Sequence, residues 1–142
     1  MTDYSFDEVV YIDLCVTKLP DNKFIAGADF KKRDENGKHH TFKVASLYID
    51  NDDIDSNNKA IVHVLFILLD EIPPGTKLVK IKGNNSAFYK RRQLEGKIVR
   101  KMAENDFKVT VWHKRDLLNK NHNIALLVND ALKRKSSVIA DV

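Results

Sequence analysis

The 142-residue sequence predicts an α/β fold, a mixed sheet flanked by helices. The first half reads as three strands joined by short turns, Pro20-Asp21-Asn22 and a loop ending in Asn36-Gly37. The second half alternates helical and strand patterns, and a strand reached through a helix lies parallel to its neighbour. Hydrophobic residues make up 43% and charged residues 31%, the balance of a folded chain and not of a disordered one. The length suits a single domain with one core over residues 1–142.

Glu8 to Thr17 is the first strand. Val10, Ile12, Leu14 and Val16 fall on one face, and Val9, Tyr11, Asp13 and Cys15 on the other. Both faces are largely apolar, which predicts a central strand. Asp13 is the odd residue, because a carboxylate there needs an ion pair, a hydrogen bond or a metal. Lys23 to Lys32 is the second strand and Lys38 to Ile49 the third, completing an antiparallel meander. Asp50 to Ser56 is an acidic loop. It starts like a calcium-binding loop but lacks that pattern's central Gly and closing Glu.

Asn58 to Ile72 follows as a helix, apolar nearly all round and ended by Pro73-Pro74. Ser, Asp and Asn ahead of it supply the N-cap. His63 shares a polar stripe with Lys59 and Asp70, and no second metal ligand stands at helical spacing from it. Thr76 to Ile81 is the fourth strand. Ser86 to Glu104 is the second helix, with Ala87, Leu94, Ile98 and Met102 as its core stripe and Gly96 as a weak point. Phe107 to Trp112 is the fifth strand and His113 to Lys120 a loop. Asn121 or Asn123 caps a last helix to about Ala131, and residues 136–142 form a tail.

Charge divides the chain. Residues 1–72 carry 8 Lys/Arg against 14 Asp/Glu, and residues 73–142 carry 16 against 6. Between Lys77 and Lys101, nine basic residues meet one acid, Glu95. This fits a basic face for an anionic partner, most simply nucleic acid. It fits equally two halves of one sheet with differently charged solvated surfaces. Thr76 to Arg92 concentrates the interest: a buried strand, the turn Gly83-Asn84-Asn85 without carboxylate or thiol, and a basic helix start. In α/β folds, ligands usually sit at the turn after the carboxyl end of a strand.

Other chemistry is sparse. Cys15 is the sole cysteine, so no internal disulfide forms, and a reducing, cytoplasmic location fits. The acidic N-terminus has no signal-peptide pattern. The longest apolar run, Val64 to Leu69, falls far short of the roughly 20 residues that span a bilayer. The five histidines (His39, His40, His63, His113, His122) and Cys15 show no zinc spacing, and no Gly-rich phosphate loop is present. No cofactor and no membrane partner are expected.

The order βββαβαβα resembles the ribonuclease H-like fold, a five-stranded mixed sheet flanked by helices. Val10 to Cys15, carrying Asp13, resembles that family's first strand with its metal-binding Asp. Asn57-Asn58 resembles its entry to the first helix, and Leu78 to Asn85 its fourth strand and following turn. Val109 to Leu132, a strand ending in Trp, a loop, Asn121 and an apolar helix, resembles its final strand and helix. The family's chemistry implies four carboxylates around two divalent ions. Asp13 is present. The first-helix Glu falls near Ile61, the Asp after the fourth strand on Gly83 or Asn84, and the final-helix Asp near Ala125. The loop histidine falls near Arg115, with His113 displaced.

The resemblance therefore implies a scaffold without its nuclease site, not an enzyme, with Asp13 as a relic of metal binding. On this reading the chain is a non-catalytic binder of nucleic acid. Lys80, Lys82, Asn84, Asn85, Lys90, Arg91, Arg92, Lys97, Arg100 and Lys101 contact it, and Phe88 or Tyr89 stacks on a base or belongs to the core. The alternative is a protein-interaction module, an accessory or inhibitory protein of a virus or mobile element on the same scaffold. A third reading is a nuclease with a rearranged site, built on Asp13 with Asp29 or Asp116.

Overall fold

In the computed structural model, which describes residues 4–142, β1 (Val9–Lys18) lies in the interior of the sheet. Met1 to Asp3, where the acidic N-terminal stretch begins, lie outside the described residues. β1 pairs antiparallel with β2 (Phe24–Arg33) and parallel with β4 (Leu78–Gly83). A strand flanked on both sides and covered on one face has to be apolar, and Val10, Ile12 and Leu14 are fully buried. β3 (His39–Ile49) returns antiparallel to β2 through a turn in which Gly37 takes φ 81°. β5 (Lys108–His113) adds parallel to β4.

The sheet has six strands and not five. Val138–Asp141, expected as a tail, forms β6 and pairs antiparallel with Lys43 to Ser46 of β3. Four residues carry too little pattern to announce a strand; the long-range pairing creates it, and the Ser137 hydroxyl bound to the Tyr48 N–H (2.9 Å) fixes its start. The sheet order is β5-β4-β1-β2-β3-β6.

Helices cover one face and part of the other. α1 (Asn57–Leu69) starts at Ser56, whose hydroxyl accepts from the Lys59 N–H at 3.2 Å. It buries Ala60, Ile61, Val64, Leu65, Leu68 and Leu69 in the core that holds Val10, Ile12, Leu14 and Ile81. The expected helix over residues 86–104 is three pieces: a 3-10 turn at Ser86–Tyr89, α2 (Arg91–Lys97) and α3 (Val99–Asn105). The break falls at Ile98, which is fully buried with φ −111°. Leu94 and Ile98 thus keep their places in the core while the helix hydrogen bonding is interrupted. The expected loop before the last helix contains a short α4 (Leu117–Lys120), held by the buried Leu117.

α5 (His122–Arg134) lies on the opposite face, over β2 and β3, with its start against β1. It approaches closely because Gly27 has no side chain; a Cβ there would stand 2.8 Å from the Ile124 carbonyl oxygen. The β4 and β5 end of that face is left largely uncovered, and Lys80, Lys82, Thr110 and Trp112 are exposed or half-buried on it.

β5 is an edge strand, and two of its outward N–H groups are covered. The Val111 N–H donates to Glu95 Oε2 at 3.0 Å and the Val109 N–H to Met102 Sδ at 3.2 Å. Glu95, the single acid in the basic run, is thereby a structural residue. No helix among the described residues is long and apolar enough to cross a membrane.

Gly27→Ala should force α5 off the sheet and lower stability by about 1–3 kcal/mol. Chemical denaturation measures this, and an unchanged midpoint would refute the close-approach argument.

Candidate functional site

Two groups of polar side chains share the α5 face. The first is built on a cross-strand pair. Asp13 of β1 and Asp29 of β2 are register partners, so their carboxylates stand side by side. Asp29 is 1% exposed. Such a pair repels itself unless donors surround it. Lys31 Nζ lies 2.6 Å from Asp13 Oδ2 and 4.0 Å from Asp29 Oδ2. Asn121 Nδ2 donates to Asp13 Oδ2 (2.9 Å) and Asp29 Oδ2 (3.0 Å), and the Thr41 hydroxyl donates to Asp29 Oδ1 (2.7 Å). Asn121 also caps α5, its Oδ1 accepting from the Asn123 N–H. A bulge between Phe30 and Lys31 shifts the β2–β3 register beside this cluster and pairs Lys31 with Thr41. His39 adjoins the cluster. Burial, then the charges of Lys31, Arg33 and Lys82, pull its pKa below the ordinary histidine value.

The other positions implied by the resemblance hold no carboxylate, for visible reasons. Ile61 is fully buried in α1. A Cβ at Gly83 would strike the Phe88 ring, which fills the space a side chain would need. Ala125 lies on α5 four residues beyond Asn121, whose amide is the group that reaches Asp13. Among the described residues, no three His, Cys, Asp or Glu side chains are gathered to hold a metal. The donors around Asp13 and Asp29 complement two anions. The Lys31 ammonium engages Oδ2 of Asp13, and the Asn121 amide N–H₂ engages Oδ2 of both carboxylates.

The second group is basic and aromatic. Lys80 Nζ lies 5.6 Å from the Tyr11 ring centroid and 5.9 Å from that of Trp112, and the Arg91 guanidinium lies 5.0 Å from Trp112. Tyr11, Lys80, Lys82, Trp112, His113 and Lys114 line a groove on the uncovered end of the sheet. Trp112 and Lys114 were not among the sequence-derived contact residues; the alternation of Phe107 to Trp112 places Trp112 off the core face, a signal that could have found it.

The expected contact residues are not one patch. Lys80, Lys82 and Arg91 belong to the groove side. Lys90 and Lys97 face a different hollow beside Asn58, and Arg92 and Arg100 are exposed on α2 and α3. Lys101 is paired with Asp70, whose hydrogen bond raises its pKa. The Asn85 amide brackets Val16, donating to its carbonyl at 2.9 Å and accepting from its N–H at 3.4 Å. Asn84 is half-buried in the same turn. Phe88 is core and Tyr89 is exposed.

No family model and no curated protein matches the chain. Solved structures do. The chain is similar to LC9-RNase H1, described as a type 1 RNase H with the type 2 active-site motif: TM-score 0.69, 14% identity, covering 99% of this chain and 80% of that one. It is similar to LC11-RNase H1 in complex with an RNA/DNA hybrid at TM-score 0.51 and 18% identity, over 89% and 98% of the two chains. It is also similar to a foamy viral protease-reverse transcriptase in complex with dsDNA, at TM-score 0.52 and 9% identity, over 90% and 97%. The fold is ribonuclease H-like.

These comparisons overturn the expectation that the chain is not an enzyme, since LC9-RNase H1 and LC11-RNase H1 are themselves RNases H. That expectation counted carboxylates by position along the chain. The count set aside Asp29, which the β1–β2 register places directly beside Asp13.

Removing Lys31 leaves two adjoining carboxylates short of their main counter-charge. Lys31→Met should cost about 3–5 kcal/mol, and adding Asp13→Asn should recover much of it. A double-mutant cycle by denaturant titration measures the coupling; additive effects would refute the pairing.

Proposed function

We propose that this chain is a nucleic-acid-binding ribonuclease H-like domain whose ligand backbone runs along the basic, helix-free end of the sheet. The observation that carries it is the gathering of Lys80, Lys82, Lys114 and Arg91 around Tyr11 and Trp112. Four cations that converge on one concave surface form a phosphate-binding stripe. The hybrid held by the similar LC11-RNase H1 supports nucleic acid as the ligand class. Arg92 and Arg100 extend the positive potential along α2 and α3, and Lys90 and Lys97 continue it toward α1. Lys101 and Asn85 contribute less, because Asp70 and Val16 already engage them.

Binding of this kind is tolerant of sequence and weakens with salt, since each neutralised phosphate releases counterions. Fluorescence anisotropy with labelled single strand, DNA duplex, RNA duplex and RNA/DNA hybrid, each with Mg²⁺ and at several salt concentrations, tests it. Arg91→Glu with Arg92→Glu should weaken binding by about tenfold or more and flatten the salt slope. Unchanged affinity, or no binding to any of the four at low salt, would overturn the proposal. Denaturing gels of the same tubes report directly whether a bound strand is cut.

A further inference from the structure

The 3-10 turn at Ser86–Tyr89 turns two neighbouring rings in opposite directions. Phe88 is fully buried under Gly83, and Tyr89 is 67% exposed. Tyr89 is nevertheless ordered by a partner: its ring stacks on that of His113, with centroids 3.9 Å apart and planes 18° from parallel. Register places His113 beside Gly83, so the stack stands at the carboxyl ends of β4 and β5, where the α/β architecture opens to ligands. Lys90 and Arg91 follow Tyr89 directly, and Lys114 follows His113.

We infer that the Tyr89–His113 stack is a nucleobase platform, and that the ligand on this face is a single strand or strand end with an unstacked base. The inference rests on the nucleic-acid reading above and deepens it. One ring face of Tyr89 is fixed against imidazole, so little conformational freedom remains to be lost when a flat ligand meets the other. Trp112 cannot serve in the same way, because Arg91 and Lys80 lie against its ring. A base within a continuous duplex has both faces covered by its neighbours, whereas a splayed base offers one to an aromatic side chain. Arg91 and Lys114, on the groove side, are the cations nearest in the chain to the stack that could meet the phosphates flanking that base.

The test compares a short labelled oligothymidylate with an abasic phosphodiester strand of equal length, by anisotropy at one salt concentration. The wild-type chain should bind the strand with bases about tenfold more tightly. Tyr89→Phe should keep that ratio, and Tyr89→Ala should bring it to unity while leaving affinity for a blunt duplex unchanged. Equal wild-type affinity for the two strands, or a ratio that survives Tyr89→Ala, would overturn the platform. Failure to bind either strand while a duplex still binds would also overturn the platform, and failure to bind a duplex as well would overturn the basic-face reading on which it rests. Tyr89 is exposed, so circular dichroism of the alanine variant should match the parent.

Discussion

Two carboxylates that stand side by side in the interior of a sheet set the terms for much of what surrounds them. Asp13 and Asp29 remain there because donors arrive from three elements: Lys31 within β2, Thr41 from β3 and Asn121 at the start of α5. The Asn121 contact does most to join local and global structure. One side chain caps a helix through its oxygen and bridges two strands through its nitrogen. The start of α5 is fixed there, and Gly27 admits the next part of the helix. The chain leaving α5 then delivers β6 to β3.

The position of α5 also decides where the sheet is open. Seated over β2 and β3, the helix leaves β4 and β5 to present their outward residues, and those residues are basic and aromatic. The Lys80 ammonium is held in place over the Tyr11 and Trp112 rings.

The fold was largely legible because its first-order signals are local. Apolar residues on both faces of Glu8–Thr17 announced a central strand, Asn36-Gly37 announced a hairpin, and the strand–helix alternation announced parallel pairing. What escaped depends on distant partners. Residues 138–141 become a strand only beside β3, and the helix break at Ile98 follows from core demands that a periodic stripe cannot reveal. The candidate site was legible in kind but not in membership. Asp13 was conspicuous, but the facing of Asp29 depends on cross-strand register. Likewise the sequence grouped Lys101 and Asn85 with the basic residues, whereas Asp70 and Val16, distant in the chain, engage them.

The covered edge of β5 has a consequence for assembly. Sheets grow by templating: an incoming strand reads the free N–H and C=O groups of the outermost one. On this flank Glu95 and Met102 already occupy the Val109 and Val111 donors, and on the other the last strand is only four residues long and bears Asp141. Neither flank offers a long unpaired ladder for strand exchange between copies. Crowding several copies on one polyanion would raise their local concentration without supplying a route to sheet-to-sheet polymerisation.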